Sequence, residues 1–574
     1  MKKLIYLALA ASLAIAQSQP TGADATAPER ASGLSKQSLV KANKFMIATA
    51  NPHASQAGYE VLKAGGNAID AMIAAQATLG LTEPQSSGLG GGAFVLYYDS
   101  KSKKLTSFDA REIAPASTTP ERFLDARGKE LEFMDAVVGG ISVGVPGVPR
   151  MIEYLHKRYG SLKLEKILKY PINLAQNGFK VSNRLAKSIE QNAENLAKNK
   201  TAAEYFMPNG KGLREGQILK NKAYANALKT LAKEGAEPFY SGKLAQNIST
   251  SVAQASNHKA KISQNDFASY KVIEREPVCA QYREFEVCGM GGASSGGVAV
   301  GQILGIMGRF EPSQAGELRG LKLLGDASRL AFADRNKFMG DPDFINVPYQ
   351  ALLSSSYLDE RAKLAGSKQA LADAPAGEIA GLAYAPSTAL ELPSTSHISI
   401  VDSYGNVLSM TTSIENAFGS TLMANGYLLN NELTDFSFVP RNEAGIVANS
   451  PAPHKRPRSS MAPTIVLLNG KPYMSVGSPG GSRIIGYVAK TIIAHVDWGL
   501  DVQAAISYPN VLNRFGTYEL EVGTAASKHE SELAGLGFKT QIRELNSGVQ
   551  AILIKDGVLE GGADPRREGV VLGD

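Results

Sequence analysis

Residues 395–413 constrain what this chain can fold into more than any other stretch. Ser396–Val401 and Val407–Ser413 both have the short, β-rich composition of strands, and Asp402-Ser403-Tyr404-Gly405-Asn406 joins them. A three-residue hairpin loop with glycine in the left-handed position fits Ser403-Tyr404-Gly405, which makes 402 and 406 partners. Continuing that register sets Thr395 directly across from Ser413. Two hydroxyls facing each other across strands serve packing as readily as chemistry, so the hairpin leaves both readings open.

What precedes Thr395 adds to the chemical reading. Residues 365–394 are rich in alanine, glycine, proline and serine without strong periodicity, and end at Pro393-Ser394. The composition predicts a flexible, surface-exposed connector, either an inert linker or a segment to be cut. A cut between Ser394 and Thr395 would leave a threonine whose α-amine, with a pKa of about 7.7–8.0, can take the proton from its own hydroxyl. Nucleophile and base would then be one residue.

The N-terminus has the layout of a secretory signal: Met1-Lys2-Lys3, an apolar run from Leu4 to Ala16, and Ala14-Ile15-Ala16 before Gln17. The run is shorter than the ~20 residues that span a bilayer as a helix, and no later segment is long and uncharged enough to do so. Export to a bacterial periplasm, or secretion, is expected, with residues 1–16 removed. Of the formal charge of +6, Lys2 and Lys3 contribute two, and the remaining basic residues are dispersed, which argues against nucleic-acid partners. The seven histidines show no H-E-x-x-H spacing and there is no C-x-x-C, so no metal or other cofactor is indicated. Cys279 and Cys288 would face each other if Arg283-Glu284 is a two-residue turn pairing 282 with 285. A cross-strand disulfide and two buried thiols are both compatible with that.

A chain of 574 residues exceeds what one ordinary core reaches, so either two domains or one large layered unit is expected. Residues 52–81 read as two helices, the first ending at Gly65-Gly66 and the second capped by Asn67. Gly88-Leu89-Gly90-Gly91-Gly92 feeds a strand over 93–98. A dinucleotide fingerprint needs the order strand, glycines, helix, so this run reads as close backbone packing in a turn. Residues 147–266 have helical spacing, for example 151–159 and 218–231; 270–290 reads as paired strands; helices are expected over 298–307 and 318–337.

Four further segments carry candidate chemistry. Gly480 and Gly481, in Gly477-Ser478-Pro479-Gly480-Gly481-Ser482-Arg483, open the helical run 484–496, either as a tight turn or with N–H groups aimed at a developing oxyanion. Residues 430–436 supply Glu432 and Asp435, suited to a cationic amine. Residues 455–461 supply Ser459 and Ser460 among basic groups suited to a carboxylate. Arg111, at a strand end beside Glu112, suits bidentate carboxylate binding.

Taken together, these segments resemble the γ-glutamyltransferase (γ-glutamyltranspeptidase) family of N-terminal nucleophile hydrolases. The resemblance runs from Asn51 through 88–92, Arg111-Glu112, 143–149, 293–297, 395–413, 429–432, 455–461 and 477–483 to Asp564-Pro565-Arg566. It implies an α+β fold, a four-layer αββα sandwich in which both subunits share one core. It implies self-cleavage between Ser394 and Thr395 into a large subunit, 17–394, and a small one, 395–574, which stay together as a heterodimer. Thr395 would attack the γ-amide carbonyl of a small γ-glutamyl substrate such as glutathione, and Gly480 and Gly481 would stabilise the oxyanion. Water, or an amino acid or peptide as acceptor, would release the γ-glutamyl ester. Arg111, Ser459 and Ser460 would hold the α-carboxylate, and Glu432 and Asp435 the α-amine.

The chain also departs from that family's pattern. Ser413 stands where the best-known members have threonine, keeping the hydroxyl. Glu415 stands where they have asparagine, adding a carboxylate beside Glu432 and Asp435 that either strengthens ammonium binding or forms a repelling cluster. The stretch 435–459 is shorter than the usual lid and has no tyrosine, which predicts an uncovered site. Both features resemble the branch that includes cephalosporin acylases. The expectation is hydrolysis of γ-glutamyl amides over transpeptidation. A glutaryl-type amide acylase is the alternative, and a non-catalytic glutamyl-peptide binding protein is a reading from a different class.

Overall fold

The computed structural model describes residues 33–574, so the signal-like residues 1–16 lie outside the described residues. Strands buried on both faces form the centre of two large stacked sheets. Their strands are β1 (Val40–Ala42), β2 (Met46–Thr49), β3 (Gly92–Asp99), β4 (Lys104–Ala110), β5 (Ile273–Arg275), β6 (Val278–Tyr282) and β7 (Phe285–Gly289). After residue 394 come β8 (Ser396–Val401), β9 (Val407–Ser413), β10 (Thr464–Leu468), β11 (Lys471–Gly477), β12 (Gln550–Lys555), β13 (Val558–Ala563) and β14 (Val570–Gly573). One sheet has the order β1-β13-β12-β11-β10-β7-β6 and the other β14-β2-β8-β9-β3-β4-β5. Both therefore interleave strands from before and after Thr395.

The alternation on β8 and β9 explains the layering. Ile398, Ile400, Leu408 and Met410 point outward into a core shared with helices α1 (Pro52–Lys63) and α2 (Ala68–Thr82). Val401 and Val407 point inward and meet Ile465, Leu467 and Ile552 of the other sheet. On that sheet's far side, Val466, Met474, Val476, Ala551 and Leu553 pack against helices α3 (Gly296–Met307), α4 (Leu318–Phe338) and α5 (Ile484–Val496). The result is the expected α+β, four-layer αββα sandwich. Toward Thr395 the inter-sheet space turns polar: Ser475 Oγ donates to Ser399 Oγ at 2.9 Å, and the Thr464 N–H to Ser409 Oγ at 3.0 Å.

Local signals place most elements where the sequence implies. Asn67 caps α2 in a reciprocal box with Asp70. The hairpin pairs Ser396 with Thr412 and Val401 with Val407, and Gly405 has φ +85°, as its loop requires. Cys279 pairs with Cys288 across β6 and β7, and the two form a disulfide. Two expectations are corrected. Ile218–Leu219 is not helical but a short strand on Phe179–Lys180, and the helix begins at Lys222, capped by Asn221. The connector is exposed over much of 366–383 but not at its end, where Glu391, Ser394 and Thr395 are buried.

Candidate active site

Thr395 sits at the mouth of the inter-sheet space, one residue before β8, with the peptide to Ser394 intact. Its Oγ1 donates to the Ser394 carbonyl oxygen, and Ser413 Oγ donates to the same oxygen at 3.2 Å. The hairpin register brings the second hydroxyl there, and the Glu415 N–H fixes it by donating to Ser413 Oγ at 2.8 Å. From the other side, Ser394 Oγ donates to the Gln85 carbonyl at 2.9 Å. The glycine run supplies the close approach expected of it: a Cβ on Gly91 would lie 2.0 Å from the Ser413 carbonyl oxygen.

Gly480 and Gly481 link β11 to α5 with φ +136° and +58°. A Cβ on Gly481 would stand 2.5 Å from the Leu392 carbonyl oxygen, so the segment before Thr395 runs directly over this turn. Buried Arg483 anchors the turn through Nε and Nη2 to Glu519 at 2.8 and 2.6 Å.

Arg111 follows β4, and its guanidinium ends among acids rather than facing an open carboxylate site. Its Nη groups donate to Glu432 and Asp435, and Nε donates to the Pro457 carbonyl at 3.1 Å. Asn430 holds the acidic turn by donating to the carbonyls of Gly90 and Gly144 at 2.7 and 2.9 Å. Glu415, at φ +76°, turns its carboxylate inward to accept the Leu392 N–H at 2.9 Å. Three buried carboxylates, Glu112, Glu432 and Asp435, thus surround one arginine, and a fourth, Glu415, lies against Asp435. Burial and the Glu432 charge push Glu112 well above the usual carboxylate range, and burial with the Asp435 charge does the same to Glu415. Burial raises Glu432 despite Arg111, and lifts Asp435 to about 8.

The opposite wall is cationic. Ser459 is held by β-bridge pairing with Ser294, and Ser460 Oγ accepts from Arg335 Nη2 at 2.7 Å. Arg335 Nη2 also reaches Glu391, and Arg458 Nε lies 3.5 Å from the same carboxylate. Burial raises the Glu391 carboxyl, but Arg335 and Arg458 outweigh it and hold the group below its usual range.

The structure therefore brings together Arg111, Ser394, Thr395, Ser413, Glu415, Glu432, Asp435, Ser459, Ser460 and Gly481 around a cavity of about 20 Å³. It is not the uncovered site predicted from the short stretch 435–459, because residues 391–394 of the uncut chain fill the cleft. Arg335 and Glu391 were not singled out in the sequence. One is an arginine on a long helix and the other lies in the connector, and neither has a local signal. Among the described residues, Cys279, Glu286 and Cys288 form the one group with metal-like spacing, and its two sulfurs are joined to each other.

Comparison with known proteins gives a consistent result. Residues 54–574 match the Gamma-glutamyltranspeptidase family. The glutathione hydrolase proenzyme of Bacillus subtilis (strain 168) is 37% identical over 585 residues, covering 99% of this chain and 97% of that protein. Its counterpart from Escherichia coli (strain K12) is 35% identical, covering 92% and 91%. Among solved structures, cephalosporin acylase from Bacillus halodurans superposes with a TM-score of 0.82 at 28% identity, covering 94% of this chain and 97% of that one.

Proposed function

Since the chain belongs to the gamma-glutamyltranspeptidase family, we propose that it is a self-processing enzyme that cleaves γ-glutamyl amides such as glutathione through Thr395. In the precursor, Thr395 Oγ attacks the Ser394 carbonyl carbon and the peptide C–N bond breaks, its nitrogen taking the hydroxyl proton. Water then hydrolyses the resulting ester, leaving a Ser394 carboxylate and a free Thr395 amine. The observation that most directly supports this is the pair of hydroxyls on the Ser394 carbonyl oxygen: one can attack while the other, Ser413, steadies the negative charge that builds there. The products would be a large subunit, 17–394, and a small one, 395–574, kept together by the sheets they share.

In turnover the freed amine takes the Thr395 hydroxyl proton as its oxygen attacks the γ-amide carbonyl. The N–H groups at Gly480 and Gly481 steady the oxyanion, and the leaving amine departs with the proton. Water, or an acceptor amine, then resolves the γ-glutamyl ester, with hydrolysis favoured by the short stretch after Asp435. Glu415, Glu432 and Asp435 face the donor's ammonium, which the excess of carboxylates over Arg111 supports. Ser459, Ser460 and the remaining Nη1 hydrogen of Arg111 face its carboxylate. The Cys279–Cys288 disulfide supports export to an oxidising compartment, the periplasm or outside the cell.

Intact mass of the exported protein tests processing. Two chains, the smaller beginning at Thr395, are expected; a lasting single chain containing Lys337 and Thr395 would overturn the proposal and favour a binding protein. The likeness to a cephalosporin acylase keeps a glutaryl-amide acylase as the second reading. The two separate on γ-glutamyl and glutaryl anilides, where faster turnover without the α-amine would reverse the choice.

A further inference from the structure

The chain's two cysteines form one disulfide, and the sheet presents its two sulfurs very differently. Cys279 lies on β6, the last strand of its sheet, and is half-buried. Cys288 lies one strand in, on β7, and is 1% exposed among Leu96, Tyr98, Ile465 and Leu467. β10 covers the inner side, with Ile465 directly across from Cys288. A cavity of about 500 Å³ opens along the edge of β6, with Glu276, Cys279, Gly292, Tyr349 and Gln350 in its lining. That is room for a dipeptide-sized guest.

Thiol–disulfide exchange needs the attacking sulfur in line with the bond it breaks, and access to the sulfur it attacks. The line from Cys288 to Cys279 crosses the strands and runs out over the sheet edge, so a thiolate arriving from solvent reaches Cys279 and displaces Cys288. The reverse approach would have to come through β10. A nearby charge says which thiol is favoured. Glu286 precedes Cys288 by two residues on the same face of β7, and its carboxylate lies within 4.8 Å of both sulfurs. No ion pair holds Glu286 among the described residues. At that range a lone carboxylate attracts a thiol with a positive charge and opposes an anionic one.

We infer that Cys279 is a site of reversible S-thiolation by small aminothiols, in which a protonated amine stands close to the sulfur. The thiolate attacks Cys279 Sγ and forms a mixed disulfide. The Cys279–Cys288 bond breaks, its electron pair passes to Cys288, and Cys288 takes up the proton that the incoming thiol lost. Glu286 is placed to carry that proton. One disulfide is exchanged for another, so no outside oxidant or reductant enters. In its apolar setting Cys288 settles as the neutral thiol, which slows its return attack. Turnover supplies the reagent: the amine released from a glutathione-type donor carries a free ammonium beside its thiol, whereas in the donor that nitrogen is an amide. Only this supply rests on the reading of Thr395 as the nucleophile toward glutathione-like donors.

The test incubates processed wild type, without oxygen, with cysteamine or with 3-mercaptopropionate at equal thiolate concentration, then traps free thiols with N-ethylmaleimide under acid. Trypsin cuts after Arg283, between the two cysteines, so each is read by mass on its own peptide. Cysteamine on Cys279 and maleimide on Cys288 are expected. The cysteamine-to-mercaptopropionate rate ratio should fall about tenfold in Glu286→Gln, the effect of one carboxylate at that range. No adduct, label shared equally between the cysteines, or an unchanged ratio in Glu286→Gln would overturn the site. The uncut Thr395→Ala chain keeps the hairpin and should give the same cysteamine adduct. Given glutathione alone, wild type should acquire the cysteinylglycine adduct and Thr395→Ala should not. A wild type that takes cysteamine yet gains no cysteinylglycine from glutathione would reject the glutathione reading alone and leave the site standing.

Discussion

Ser413 is one methyl smaller than threonine, yet its hydroxyl is the group the Ser394 carbonyl uses beside Thr395. Ser413→Ala should therefore slow self-cleavage by roughly 10²-fold, the cost of one oxyanion donor, in a gel time course, while Thr395→Ala should abolish cleavage. Glu415 presents an electrostatic prediction. Folded-state pKa values of Glu415 and Asp435 lie above their unfolded ones, so the folded chain holds these protons longer. Their contribution is fully present below the ordinary carboxylate range and is lost as pH rises toward about 8, where Asp435 titrates. Melting of the Thr395→Ala chain should fall across that window, and Glu415→Gln should flatten the fall and shift turnover toward glutaryl donors. An unchanged slope would show that Glu415 does not repel Asp435. Thr395, Ser413 and Glu415 were legible because a hairpin register or a short motif presents them. Arg335 and Glu391 were not, since a charge buried by distant neighbours leaves no mark on its own flanks.

At the scale of elements, the hairpins kept the registers read from their turns, because turn geometry and side-chain alternation are settled within some twenty residues. The β6–β7 hairpin lies at a sheet edge away from Thr395. Replacing both cysteines with serine should lower stability by about 2–3 kcal/mol, the loop-entropy value for so short a span, with turnover intact. The turn from β11 to α5 is less forgiving. Gly481→Ala combines a left-handed φ of +58° with a Cβ 2.5 Å from the Leu392 carbonyl, so processing should slow sharply in the same gel assay. Ile218 shows where local reading stops: helical spacing continued through 218–231, but pairing with Phe179–Lys180 drew residues 218–219 into a strand.

For the whole molecule, stacking two sheets buries His397 between them, where Nδ1 meets Thr411 Oγ1 at 2.9 Å and Nε2 meets Ser399 Oγ at 3.1 Å. Desolvation lowers its pKa to about 3, below the unfolded value, so its stabilisation is present above pH 6.5 and drains away as pH falls toward about 3. That depression corresponds to roughly 5 kcal/mol of acid sensitivity, and His397→Asn should flatten the acid limb of a Tm-against-pH curve while lowering the plateau. The sequence by itself determined the strand alternation, the helix caps, the 395–413 register and the hydroxyl at its head, all set by neighbours along the chain. Only the tertiary structure decided that Arg111 would face Glu432 and Asp435, and that Glu391 would lie between Arg335 and Arg458. Burying a charge is tolerable only beside a counter-charge, and which counter-charge arrives depends on how the sheets and helices stack.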